Sequence, residues 1–319
     1  MNKITLLFTI IIGVIQFTSA QTFTAGSYKY RVIKDGVSVA AASQKLFGNV
    51  IIPEAVNFGD KNYKVTAVAD SGFRNCAGIK NLILPASITK IGKAAFANCL
   101  GISGLNIPRQ LFEIGDGAFY ACGAITGLSL PETLKKIGDY AFAYCGSLRA
   151  IDIPDGTETI GEMAFWECQN LYSAVVPKSV TKIGSRALSG CPKLLQIKLD
   201  PENSTYTIVD NALYTNDKKS ILAYPAGCAA ATCTLPDECE IIPAFTFVNC
   251  EKLHEIIINN GLKEIENSAF TGCNILRIKK IPDSVTRIGE NFCPTCSEDI
   301  EMPANYEFVE DPGLEEKSF

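Results

Sequence analysis

Five Phe-x-x-Cys pairs, Phe73/Cys76, Phe96/Cys99, Phe119/Cys122, Phe142/Cys145 and Phe165/Cys168, follow one another at a displacement of 23 residues. Leu188/Cys191 continues the series, Phe247/Cys250 and Phe270/Cys273 resume it, and Cys293/Cys296 closes it with Cys in the Phe place. Pro85, Pro108, Pro131, Pro154 and Pro177 keep the same step, as do Ile91-Gly92, Ile114-Gly115, Ile137-Gly138, Ile160-Gly161 and Ile183-Gly184. Landmarks of three kinds locked to one period mark a solenoid. A chain of this length would ordinarily suggest two domains; the period makes it one stack of coils.

One coil can be followed from Cys145. Leu148, Ile151 and Ile153 place apolar residues in a Leu-x-x-Ile-x-Ile pattern whose last two alternate as in a strand. Pro154 ends that strand, because it has no N–H to continue a ladder. Thr159-Ile160-Gly161 forms a second short extended piece, with Gly161 expected to let the chain turn. Ala164, Phe165 and Cys168 return to the interior at a spacing of one helical turn. The expected class is therefore α+β, mostly β: a solenoid of 23-residue coils with a parallel sheet on one face and the Phe arc on the other. No single coil buries these groups alone, so the stack shares one core.

The expected order along the chain is as follows. Residues 21–64 form an N-terminal β cap, with Asp35-Gly36 as a hairpin turn and Val50–Pro53 as a degenerate strand. Residues 65–200 and 233–303 form two repeat blocks. Cys191 and Cys250 lie 59 residues apart instead of 46. Residues 201–232 between them are read as a β-hairpin insertion, Thr205–Val209 and Ser220–Tyr224 flanking the turn Asn216-Asp217, which leaves the stack on one side. Residues 304–319 are an acidic tail, expected to fray.

The unit Leu-x-x-Ile-x-Ile-Pro, x-x-Ile-Gly, Ala-Phe-x-x-Cys at Leu148–Cys168 resembles the BspA-type leucine-rich repeat of bacterial and protist surface proteins. The resemblance covers about Val65 to Pro303, and the segment Tyr206–Gly227 is similar to an element found within such arrays. It departs from the commoner leucine-rich repeat, which has Asn or Cys two residues past the last strand Leu. What the resemblance implies is a leucine-rich repeat array that adheres to proteins at a cell surface, often host extracellular-matrix proteins.

Residues 1–20 read as a signal peptide. Lys3 precedes an almost unbroken apolar run from Ile4 to Phe17, too short to span a bilayer, and Thr18-Ser19-Ala20 offers a cleavage site. The expectation is an exported protein, secreted, on the cell surface or in the periplasm, with no membrane insertion. Loss of Lys3 with the leader moves the net charge from -5 to -6. Such mild acidity gives no footprint for nucleic acid.

Thirteen cysteines in an exported chain suggest disulfides. Nine of them, however, occupy one place in successive coils, about 4.8 Å apart and beyond the Cβ separation a disulfide needs. These are expected to be buried thiols. Cys228, Cys233 and Cys239 lie off the ladder and leave room for one disulfide. Cys293-Pro294-Thr295-Cys296 has redox spacing, but both cysteines fall on repeat positions. His254 is the only histidine and stands without a nucleophile motif around it. No paired carboxylates, zinc spacing or phosphate loop is visible, so neither an enzyme nor a cofactor is expected.

Binding is therefore assigned to the variable positions. On the sheet face these are Asn106, Ser129, Arg149, Asp152, Tyr172 and Lys198, a mixed polar surface suited to a protein or glycan ligand. Tyr120, Tyr144 and Trp166, with Tyr140, add aromatics to the Phe arc, where they either pack along the flank or contact a ligand. Asn203-Ser204-Thr205 is a glycosylation sequon. The first expectation is a surface or secreted protein-binding module that adheres to host or matrix proteins. The alternative is a non-adhesive structural scaffold of the periplasm or cell envelope.

Overall fold

The computed structural model describes residues 21–296 and 300–310. The signal peptide expected over residues 1–20 lies outside them, as do residues 311–319.

Two ladders of strands run along the solenoid. The longer is built from the x-Ile pairs before the repeated glycine. It begins with an antiparallel meander, Thr22–Ala25, Tyr28–Ile33 and Gly36–Ala41, and continues in parallel through Lys61–Val68. Two-residue strands follow, Lys90–Ile91, Glu113–Ile114, Lys136–Ile137, Thr159–Ile160 and Lys182–Ile183, one from each coil. The second ladder holds the Leu-x-x-Ile-x-Ile segments and is broken. Phe47–Ile51, Gly78–Ile83 and Gly104–Asn106 form one parallel sheet; Ala150–Asp152, Ser173–Val176 and Gln196–Leu199 form another. The coil between them, around Thr126–Leu130, contributes no strand.

The Phe arc corrects the α component of the sequence reading. No helix occurs among the described residues. Alternate N–H groups of the arc reach the next coil: Ala94, Phe96 and Asn98 donate to the carbonyls of Asp116, Ala118 and Tyr120 at 2.7–2.8 Å. The residues between, Ala95, Ala97 and Cys99, close tight turns to Gly92, Ala94 and Phe96. Left-handed residues such as Ala94 (φ 50°) and Asn98 (φ 61°) aim every second N–H out of the coil, which a helix cannot do. The repeated glycine also has a different role from the one expected. Gly138 and Gly161 do not have positive φ. A Cβ on Gly138 would lie 2.6 Å from the Asp116 backbone nitrogen of the preceding coil, so the glycine is there for close approach of backbones.

The interior is a column of stacked rings. Phe73, Phe96, Phe119, Phe142 and Phe165 are fully buried or nearly so, with neighbouring centroids 5.3–5.5 Å apart. Phe247 and Phe270 form a second column at 5.1 Å. The cysteines of the ladder are buried thiols that also donate. Cys122 Sγ lies 3.2 Å from the Phe96 carbonyl and Cys145 Sγ 3.2 Å from that of Phe119. Each of these Phe carbonyls therefore takes the Cys N–H of its own coil and the Cys S–H of the next.

Cys296, placed among the thiols by its repeat position, is instead joined to Cys293 in a disulfide with Cα atoms 5.4 Å apart. Cys in the Phe place of the same coil brings the partner within bonding range, which a ladder neighbour cannot. Cys228, Cys233 and Cys239 are all free and buried. A thiol reagent at neutral pH is thus expected to label none of the eleven free cysteines in the folded chain, all eleven after denaturation, and thirteen after reduction. Labelling of any ladder thiol before unfolding would contradict this packing.

The insertion is a three-stranded antiparallel meander, Tyr206–Val209, Ala212–Thr215 and Ile221–Ala223. The sequence reading gave a single hairpin; it missed the first turn, Asp210-Asn211, where both residues have positive φ (46° and 69°). The meander also stands within the stack instead of leaving it. Tyr206, Leu213 and Ala223 pack on the N-terminal core, while Ala212, Tyr214, Ile221 and Tyr224 pack on the C-terminal one. The strand faces thus divide one solenoid into two cores. Beyond it the first ladder resumes with Ile241–Ile242, Glu264–Ile265 and Arg287–Gly289, and Glu307–Val309 in the acidic tail adds a last parallel strand.

Candidate functional site

The broken strand face gathers the predicted positions. In register, Asp152, Val175 and Lys198 stand across three strands, as do Ala150, Ser173 and Gln196. Ahead of them a row rises coil by coil: the Tyr172 N–H donates to the Arg149 carbonyl at 2.8 Å, and the Leu195 N–H to that of Tyr172 at 3.1 Å. Arg149 and Lys198 are exposed, and Tyr172 and Leu195 are 48% and 54% exposed. Arg149, Tyr172, Asp152 and Lys198 therefore share one surface, together with Leu195. The polarity criterion used on the sequence overlooked Leu195; its repeat position, shared with Arg149 and Tyr172, was the available signal.

Beside this patch lies a cleft of about 550 Å³ at the break, where Asn106 and Ser129 line one groove with Leu105, Ile107 and Leu130. Among the described residues no backbone hydrogen bond is donated by Gly127, Leu128, Ser129 or Leu130. The face thus offers free peptide groups between two closed sheets. Asn106 is less available than its exposure suggests. Its Oδ1 accepts the Leu84 N–H at 2.8 Å and its Nδ2 donates to the Leu84 carbonyl at 2.9 Å, so the amide extends the ladder as a peptide group would. A second cleft of about 750 Å³ near the C-terminal end includes His254, Glu255, Arg277 and Lys279, with Lys279 paired to Glu255 at 3.2 Å.

The aromatic residues lie apart from this face, on the arc. Trp166 is buried, its Nε1 donating to the Tyr144 hydroxyl at 3.3 Å and its ring set edgewise on Phe245 at 5.4 Å. Tyr120 and Tyr144 meet edge to face at 5.3 Å, and Tyr144 is 38% exposed. Arg186 lies over the Phe245 ring at 5.3 Å. The cluster bridges the two repeat blocks along the flank, Trp166 from one and Phe245 from the other.

The sequon asparagine is also committed internally. Asn203 is buried; its Nδ2 donates to the carbonyls of Pro177 (2.9 Å) and Val180 (3.2 Å), and its Oδ1 accepts from Thr205 and Tyr206. A glycan on Nδ2 would replace one of the two donating hydrogens and could not fit in this buried position. Asn203→Ala, which strands the buried carbonyls and N–H groups, is expected to lower stability by about 2–4 kcal/mol. A thermal melt unchanged from that of the native sequence would show that these bonds are dispensable.

Among the described residues no group of three or more His, Cys, Asp or Glu is placed to hold a metal, and no helix is long and apolar enough to cross a membrane. Six copies of the BspA type leucine rich repeat region match the chain, over residues 40–171, 112–225 and 223–312. The solved pneumococcal vaccine antigen PcpA is similar to this chain, with a TM-score of 0.68 and 21% identity over 91% of this chain and 87% of that one. A leucine rich cell surface protein from Faecalibacterium prausnitzii is similar at a TM-score of 0.61 and 22% identity, covering 89% and 95% of the two chains. At such identities the likeness is one of fold. A leucine rich repeat protein of T. pallidum shares 27% identity over 56% of this chain and 82% of its own, with a TM-score of 0.51. No curated protein matches.

Proposed function

The chain belongs to the BspA-type leucine-rich repeat family, and from that premise we propose that it is an exported adhesin-like module whose strand face captures a protein ligand. The observation that carries this reading is the exposed row Arg149–Tyr172–Leu195 beside a cleft at the strand break, where Gly127–Leu130 donate no backbone hydrogen bond. Arginine and tyrosine are among the residue types enriched at binding hot spots, and the exposed Leu195 adds apolar surface beside them. Free peptide groups in the adjoining cleft add hydrogen bonds that need no particular ligand side chain. The two sheets fix these groups on a rigid support, which keeps the ordering cost of binding low. The cell-surface relative from Faecalibacterium prausnitzii supports the location, and the apolar leader supports export. Host extracellular-matrix proteins are the ligand class to test first.

The test joins location and contact. Protease treatment of intact source cells is expected to release repeat peptides while a periplasmic control stays protected; release only after lysis would favour the envelope scaffold. The mature chain is then screened against immobilised matrix proteins. Arg149→Ala with Tyr172→Ala is expected to weaken a confirmed interaction by about tenfold or more. If the double variant binds as tightly as the native chain, the strand face is not the contact surface. The same ligand tested against Tyr144→Ala separates a contribution from the arc.

A further inference from the structure

The charge of the chain is not evenly spread. Residues 21–64 hold six Lys and Arg against three Asp and Glu, whereas residues 65–319 hold 22 against 31. An acidic solenoid therefore carries a basic N-terminal cap, and the cap has a shaped depression. On one face of the long ladder Thr22, Arg31, Ser38, Ala67 and Lys90 stand in register across five strands. Further along the same row the coils place Glu113 and Lys136. Where they carry long side chains, the cap has Ser38 and Ala67. Lys29 and Ala40 are paired in the neighbouring row. The result is a trough of about 630 Å³, floored by small residues and walled by Lys29 and Arg31 on one side and Lys90 on the other. Three strand spacings make it roughly 14 Å from wall to wall, with the two cations of the first wall roughly 7 Å apart along their strand.

The charges in the trough do not cancel. Lys90 is held by Glu113 at 2.9 Å, and the Asp70 carboxylate at the rim accepts the Lys93 N–H at 2.8 Å. Lys29 and Arg31 are exposed and have no ion-pair partner among the described residues. We propose that this trough is a second binding site, separate from the strand face, for a linear polysaccharide bearing sulfate or carboxylate groups. The floor strands decide against a peptide. Gly36–Ala41 and Lys61–Val68 are both paired on both edges, so no added strand can hydrogen-bond to them. The aromatics decide against single-stranded nucleic acid, which needs exposed rings to stack its bases. Tyr30 is buried, and Phe23 is stacked on Tyr30 and Phe58. What remains accessible is a smooth bed with fixed cations beside it, which suits a chain carrying anions at its edges.

The experiment measures anisotropy of a fluorescent heparin octasaccharide with the mature chain at low salt. Binding is expected, and it should weaken steeply as salt is raised. Lys29→Glu with Arg31→Glu is expected to reduce affinity by about tenfold or more, with an unchanged thermal melt because both side chains are exposed. Ala67→Trp, which fills the floor and alters no charge, is expected to do the same, while Lys263→Glu, far along the chain, leaves binding intact. Equal affinity in the charge-reversal variant overturns the proposal. So does equal binding of polyglutamate or single-stranded DNA, which would make the cap a general polyanion surface. Loss of the strand-face interaction in the Arg149 and Tyr172 variants would leave this result untouched, so the two sites fail independently.

Discussion

Phe119→Ala is expected to destabilise the protein by about 3–5 kcal/mol, while Phe47→Ala changes stability by less than about 0.5 kcal/mol. The two residues differ in position alone. Phe119 is fully buried with Phe96 and Phe142 on its two faces, each 5.3 Å away, whereas Phe47 is 81% exposed on the strand face. Removal of a ring from the middle of the column leaves a void bounded by two rings held by their own coils. Backbone bonds to both neighbours, such as the Phe119 N–H to the Ala141 carbonyl at 2.8 Å, keep the coil spacing fixed and prevent collapse. Phe119→Leu is expected to cost less, since Leu188 already fills the Phe place in one coil and is 4% exposed. Denaturant titration of the three variants reads the differences directly. Equal losses for Phe47→Ala and Phe119→Ala would show that the column is not what holds the coils together.

The parts of this fold that repeat were legible in the sequence, and the parts that do not repeat were hidden. The 23-residue step located the stacked Phe column and the Cys ladder, because a residue that must stack on its counterpart is constrained in type and position together. The arc misled at one level, since Ala-Phe-x-x-Cys places side chains inward at a spacing that a helix and a chain of tight turns both satisfy. A signal did exist in Asn75, Asn98, Asn249, Gly190 and Gly272, residues that tolerate positive φ and recur at one repeat position. The meander reads as one hairpin because the Asn216-Asp217 turn masks the Asp210-Asn211 turn six residues earlier. No local pattern could show that its two faces close two different cores.

The candidate site divides in the same way. Arg149, Asp152, Tyr172 and Lys198 follow from strand alternation, and the structure places them on one exposed surface. The cleft beside them arises from the absence of a strand at Gly127–Leu130, and an absence of pairing depends on neighbours 23 residues away on each side. Asn106 and Asn203 show the converse. Asn106 reads as polar surface and Asn203 as a glycosylation sequon, yet both have amides engaged by the backbone of the preceding coil. The burial of Trp166 depends on Phe245, a contact between separate repeat blocks. Polarity and exposure are separate properties in a solenoid, because a side-chain amide can stand in for a missing rung of the ladder.

Alkali is expected to unfold this protein in a narrow range above pH 9, through its thiols. Burial pushes the thiols of Cys99, Cys145 and Cys191 up to about 12 from an ordinary value of 9.0, and raises those of Cys122 and Cys168 well above it. The folded state therefore keeps these protons while the unfolded chain begins to lose them near pH 9. The stabilisation is complete below pH 9 and is lost as pH rises toward 12, since the unfolded state binds fewer protons there. Each thiol contributes about 1.4 kcal/mol per pH unit across that window, so five together give on the order of 7 kcal/mol per unit. Against a typical stability of about 5–15 kcal/mol, one to two units suffice. The measurement is the denaturant midpoint as a function of pH from 8 to about 11, with proton release taken from its slope. Cys122→Ala with Cys145→Ala is expected to reduce that release by two protons while lowering stability at pH 7, because two S–H donors to the Phe96 and Phe119 carbonyls are lost as well. A midpoint that stays flat through pH 11, or a slope unchanged in the double variant, would mean that the thiol ladder is not what titrates.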